Sequence, residues 1–160
     1  MNSAKVTMCV NNLFQFFVAG AKAEDPVVFG DANLKAAVEA SLGITDPTPT
    51  DMASTSFKLL IAKNMAIVDL TGIEYATNTE IFDLRANKIS DLSPLLGLTN
   101  LEVLKLQDNQ ISNMAPVSSL TGLLRLELQN NQISTIPDLS GLTNLRTLNV
   151  ENNQLINILG

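Results

Sequence analysis

Asp83, Lys105 and Glu127 have the types and spacing that come nearest to a reactive group. Each lies 22 residues from the next. If every interval returns the chain beside itself, Lys105 stands between two carboxylates on neighbouring strands. Asp83 and Glu127 would then be two strands apart, within the roughly 6.5–9.5 Å of an inverting carboxylate pair. Such a pair needs an enclosed site that holds one carboxyl protonated, and nothing in the pattern supplies one. The remaining composition closes other routes. The chain contains no His, so the commonest general base, triad base and zinc ligand are missing. Cys9 is the single Cys, which excludes an internal disulfide and a Cys-based metal site. Asp46 and Asp51 flank a Pro/Thr loop, but the ligand string and closing Glu of a calcium loop are absent. No catalytic residue, cofactor or metal is expected. The net charge of −6 argues against nucleic acid as a partner.

The interval itself is the stronger signal. Asn87, Asn109, Asn131 and Asn153 follow the same spacing, each inside a Leu-x-Leu-x-x-Asn-x-Ile frame or a close variant such as Phe82-x-Leu84-x-x-Asn87-x-Ile89. A fixed short period predicts a solenoid. One step upstream, Leu60-x-Ala62-x-x-Met65-x-Ile67 keeps the apolar positions but has Met65 in place of Asn, as suits a terminal repeat. About five turns result. Within residues 98–119, Val103 to Gln107 alternates and predicts a short strand with Leu104 and Leu106 inward. Asn109 sits where the strand ends, and its amide can serve backbone groups that lose their ladder partners there. The four Asn are expected to form a structural ladder. Pro94, Pro116 and Pro137 mark a short 3₁₀ or irregular return on the convex side.

Stacked turns give a parallel sheet on the concave face, with outward residues in rows. The first row is Leu59, Ile81, Val103, Arg125 and Thr147. The second is Ile61, Asp83, Lys105, Glu127 and Asn149. The third is Lys63, Arg85, Gln107, Gln129 and Glu151, with Lys88 beside the Asn ladder. The expected partner-binding residues are Asp83, Arg85, Lys88, Lys105, Gln107, Arg125, Glu127, Gln129, Asn149 and Glu151. Arg85 and Arg125 are the natural anchors, since the rows hold no aromatic. Asp83, Lys105 and Glu127 have a plainer reading as a cross-strand ladder of exposed ion pairs. Leu59, Ile81 and Val103 are either a contact patch or a surface covered by the N-terminal cap.

That cap is expected over residues 24–56, ahead of an array over 57–160. Leu34, Ala37, Val38 and Leu42 mark a helical face between Asp31 as N-cap and Gly43 as the left-handed stop. Thr48-Pro49-Thr50-Asp51 predicts a second, shorter helix start. An open solenoid needs such cover at its end. Residues 1–23 read as a secretory signal peptide: a weakly basic start at Lys5, apolar runs, then Ala21-Lys22-Ala23. The run is too short for a permanent membrane span. The chain stops at Gly160 inside its last turn, so Leu155, Ile156, Ile158 and Leu159 are expected to be partly exposed. A fragment of a longer protein, or association over that edge, would follow.

The repeat resembles the leucine-rich repeat in the 22-residue form of internalin-like bacterial surface proteins. Leu-Thr-Asn-Leu at 98–101 and 142–145, and Ile-Ser-Asp-Leu-Ser-Pro-Leu at 89–95, carry the resemblance. In the cap, Phe29-x-Asp31-Ala32-Asn33-Leu34 and Asp69-Leu70-Thr71-Gly72-Ile73 extend it to about residue 26. The resemblance implies an α/β leucine-rich-repeat solenoid with a helical N-terminal cap. It implies a non-catalytic protein–protein interaction module, secreted or on the cell surface. Two alternatives stay open: an intracellular scaffold or regulatory subunit, and a structural spacer from a larger surface protein.

Overall fold

The computed structural model describes residues 23–156. The leader expected at 1–23 therefore lies, but for Ala23, outside the described residues, as do Ile158 and Leu159. Five three-residue strands form one parallel sheet in sequence order: β1 Leu59–Ile61, β2 Ile81–Asp83, β3 Val103–Lys105, β4 Arg125–Glu127 and β5 Thr147–Asn149. Every pairing joins residues 22 apart, such as Leu60 with Phe82 and Phe82 with Leu104. The convex returns are 3₁₀ at Ile73–Tyr75, Ser93–Leu95 and Ala115–Ser119. Pro94 and Pro116 sit in the first turns of the latter two, where a missing N–H costs nothing. The core runs along the solenoid axis. Phe82, Leu84, Ile89, Leu104, Leu106, Ile111, Leu126 and Leu128 are all fully buried. Cover thins along the last strand, where Leu148 is 37% exposed. Leu155 is half-buried and Ile156 exposed.

The Asn ladder is a hydrogen-bonded spine. Asn109 Oδ1 accepts from Ile89 N–H at 3.0 Å, and its Nδ2 donates to Leu84 O at 3.1 Å and Leu106 O at 3.0 Å. Asn87 and Asn131 repeat the pattern one turn either side. The strand-exit carbonyls of the three middle turns, Leu84, Leu106 and Leu128, are thus each shared between two Asn. Leu106 O accepts from Asn109 and Asn131, and Leu128 O from Asn131 and Asn153. Met65 provides none of this, yet its own N–H donates to Asn87 Oδ1 at 3.0 Å. A first turn has no earlier turn to seal, which is why an apolar side chain can stand there.

Beside each ladder position the backbone turns left-handed. Asn64, Ala86, Asp108, Asn130 and Asn152 have φ between 54° and 57°. Asn and Asp tolerate this region, whereas Ala is strained in it by about 1–2 kcal/mol. Asn130 Nδ2 donates to Asp108 at 2.7 Å and Asn152 Nδ2 to Asn130 at 2.9 Å, a second, outer ladder. Ala86 stands outside it. Ala86→Asn should raise stability by about 0.5–1 kcal/mol, read as a higher urea midpoint with an unchanged slope.

The first turn is closed by α1, Ala32–Leu42, and α2, Pro49–Met52. Asp31 Oδ1 accepts from Asn33 and Leu34 N–H. Gly43 ends α1 at φ 71°, donating to Glu39 O at 2.8 Å. Thr48 and Asp51 form a reciprocal capping box at α2. Leu34, Ala37, Val38 and Met52 are buried in the same core as Leu60. The cap is also stitched to the array: Asp31 Oδ2 accepts from Val68 N–H at 2.9 Å, and Gly30 N–H donates to Thr71 O at 3.1 Å. Burial opposes ionisation of Asp31, but the N–H groups of Val68, Leu34, Asn33 and Asp69 outweigh it and hold its pKa below the usual value. A lowered pKa adds stability above the unfolded value of about 3.9, lost as pH falls through the folded one. Asp31→Ala should therefore cost about 0.5–2 kcal/mol at neutral pH. The gap to the parent should narrow below about pH 3.9, as thermal unfolding followed by circular dichroism at both pH values will show.

Candidate partner-binding face

The strands place alternate side chains on opposite sides of the sheet. With Leu60, Phe82, Leu104 and Leu126 inward, the residues on either side face out. Strand register aligns Leu59, Ile81, Val103, Arg125 and Thr147, and likewise Ile61, Asp83, Lys105, Glu127 and Asn149. The third row holds because the ladder continues past the strands. Asn64 N–H donates to Arg85 O at 3.0 Å, Ala86 to Gln107 O at 2.9 Å, Asp108 to Gln129 O at 3.0 Å and Asn130 to Glu151 O at 3.1 Å. Nine of the ten expected binding residues therefore share one face. Lys88 stands outside the three rows, beside the Asn ladder and past the left-handed turn at Ala86.

The charges do not pair across strands as the plain reading expects. Asp83 is bound by Arg85 of its own chain segment, through Nε at 2.9 Å and Nη2 at 2.7 Å. Residues two apart on a strand face the same way, and the guanidinium fork matches a carboxylate with two parallel bonds. A lysine on the next strand offers only a hydrated point charge. Asp83 is consequently buried. Glu127 accepts from Gln107 Nε2 at 2.6 Å and lies 3.4 Å from Arg125 Nη1. Among the described residues Lys105 forms no ion pair. Gln107 Oε1 and Gln129 Oε1 are buried without a hydrogen-bond partner, although a buried acceptor left unpaired costs about 1–3 kcal/mol. Arg85, expected as an anchor, is instead committed to Asp83.

The apolar outward residues are not covered by the cap. Helix α1 meets β1, and Ser41 Oγ donates to Leu59 O at 2.9 Å. Leu59 and Ile61 nonetheless remain 43% and 55% exposed. Further along, the face dips into an open hollow of about 420 Å³ lined by Ile81, Val103, Lys105, Leu124, Arg125, Arg146 and Thr147. Leu124 and Arg146 were not among the expected site residues, because they precede their strands. They belong to a fourth in-register column of Lys58, Glu80, Glu102, Leu124 and Arg146, tied by hydrogen bonds from each N–H to the carbonyl one turn earlier. The readable signal was Leu124, an apolar residue in a column otherwise charged. Among the described residues no group of Cys, Asp and Glu could hold a metal ion, and no helix is long and apolar enough to cross a membrane.

Comparison with known proteins matches residues 80–119 and 121–160 to the family described as Leucine Rich repeats (2 copies). No curated protein matches the chain. Among solved structures, internalin C2 from Listeria monocytogenes is similar at 30% identity and TM-score 0.66, over 88% of this chain and 74% of that one. The functional domain of InlJ from the same species, described as including a cysteine ladder, aligns at 29% identity and TM-score 0.69, over 81% of this chain. Another Listeria monocytogenes internalin, InlF, shares the fold at 24% identity and TM-score 0.67, over 89% of this chain. The chain spans 49% of the InlF structure and 29% of the InlJ structure.

Proposed function

The chain belongs to the leucine-rich-repeat proteins of the internalin-like bacterial type, and from that premise we propose that it is a non-catalytic module that binds a protein partner on its concave sheet face, outside the cell or at its surface. In this reading residues 1–23 are a removed leader, 24–56 the cap and 57–160 the binding array. Proteins of this repeat family generally bind other proteins, and stacked repeats present an extended concave surface. The observation that carries the reading is the in-register array of outward side chains, with a cation in no ion pair at its centre. Among the described residues Lys105 forms no ion pair, although Asp83 and Glu127 flank it in register, and Gln107 and Gln129 stand half-buried in the adjoining row. Groups already committed, such as Asp83 with Arg85, act as rigid framing.

A displayed library of protein fragments, selected on the full chain, supplies partners for the test. Replacement of Gln107, Gln129 or Lys105 with Ala should weaken the selected partners by about tenfold for at least one position, equivalent to about 1.4 kcal/mol. Replacement of Thr99 or Ser112, away from the rows, should leave affinity unchanged. Loss only at those outlying positions would overturn the choice of face.

A further inference from the structure

The hollow at the start of strands β2 to β5 has a composition at odds with the chain around it. The chain as a whole carries −6. Its seven lining residues include three cations, Lys105, Arg125 and Arg146, and no acid. Ile81, Val103 and Leu124 supply apolar surface between them. The neighbouring acids are largely engaged elsewhere. Asp83 is held by Arg85, and Glu80 by Lys58 at 2.7 Å. Glu127 takes a share of Arg125 at 3.4 Å, a long contact at an exposed guanidinium. Glu102, one step from Leu124 in the fourth column, is the remaining nearby acid. Lys105 and Arg146 form no ion pair among the described residues.

We infer that this hollow receives an acidic peptide segment of the partner, in which an aliphatic side chain is flanked by carboxylates. The inference deepens the proposed concave-face binding and rests on it. The aliphatic group would lie over Ile81, Val103 and Leu124. The carboxylates would meet Lys105 on one side and Arg146 on the other. A hollow of this volume falls within the range of ligand-sized sites, about 300–1,000 Å³. The match is one of charge sign and of apolar area together, which a polyanion such as nucleic acid would not satisfy. A polyanion would also meet the repulsion of the acids spread over the rest of the chain.

The test uses the full chain and three dye-labelled peptides that differ only at their centre: Glu-Leu-Glu, Lys-Leu-Lys and Glu-Ser-Glu. Titration followed by amide shifts should move Val103, Leu124, Arg125, Arg146 and Thr147 with the first peptide. Fluorescence anisotropy should give about tenfold weaker binding for Arg146→Glu and for Lys105→Glu. Both side chains lack structural hydrogen bonds, and an unchanged thermal midpoint will show the variants folded. Glu-Ser-Glu should bind several-fold more weakly, and Lys-Leu-Lys not measurably. Equal binding of the lysine peptide, insensitivity to Arg146→Glu, or shifts mapped elsewhere would overturn the inference. So would binding to phosphatidylserine vesicles with no response to the peptides. If library-selected partners depend on Gln107 and Gln129 but not on Arg146, the concave face stands and only the acidic-segment inference falls.

Discussion

Asn109→Ala should lower stability by about 3 kcal/mol or more, read as a fall in urea midpoint. The Ile89 N–H, buried inside the array, loses its acceptor outright. That alone costs about 1–3 kcal/mol. Leu84 O and Leu106 O each lose one of two donors, keeping only Asn87 and Asn131 respectively. Two such losses add about 0.5–1.5 kcal/mol each. Against a typical total of about 5–15 kcal/mol, this is enough to unfold a substantial fraction of the protein near physiological temperature. Asn109→Asp should not rescue it at neutral pH. A carboxylate would replace the donor and face the Leu84, Leu106 and Gln107 carbonyls. Acidification should partly restore that variant by returning a donor. Asn153, only half-buried, should tolerate Ala at a fraction of the cost, because water can reach the groups it serves.

Phe82→Ala should cost about 3–5 kcal/mol, the range for deleting a fully buried aromatic ring. Phe82 is fully buried between Leu60 and Leu104 on the inward face of the sheet. Phe82→Leu should cost less than about 1.5 kcal/mol, because the four other turns carry Leu at this position. Leu148→Ala is the revealing control. It occupies the same place in the repeat, yet is 37% exposed, and should lose only about 1 kcal/mol as less apolar area leaves water on folding. Chemical denaturation of the three variants under one set of conditions checks the ranking. Equal losses at Phe82 and Leu148 would contradict it.

The architecture was readable in the chain because two periods coincide. The 22-residue interval identifies equivalent positions, and the two-residue alternation of a strand assigns each to a side. Together they place Leu104 inward and Lys105 outward without any knowledge of the neighbours. The helix ends at Asp31, Gly43 and Thr48 were equally legible, since each depends on one residue type at one local backbone conformation. The face was less so. Period arithmetic shows which residue lies one strand away, and it makes Lys105 the apparent partner of Asp83. It is silent on the competitor two residues along, and the side-chain geometry of Arg85 wins. The hollow escaped for another reason. Leu124 and Arg146 sit one residue before strands of only three residues, where alternation gives too few positions to fix direction. The strained Ala86 was hidden because its neighbours in that column, Asn64, Asp108 and Asn130, look merely polar until their backbone angles are known.

The spine of amides also has a polarity. Asn109 reaches back to the N–H of Ile89 and the carbonyl of Leu84, respectively 20 and 25 residues earlier, and Asn131 does the same for Ile111 and Leu106. In this spine each coil is therefore bonded by the Asn side chain of its successor. Emerging from a ribosome, a coil stays unlatched until another 20 or so residues have followed. Under tension applied to the C-terminal side, coils would release one at a time in reverse order. Each release would free one period of chain, about 70–80 Å of slack at full extension. A binding surface built this way would lengthen by regular increments under load, rather than failing all at once.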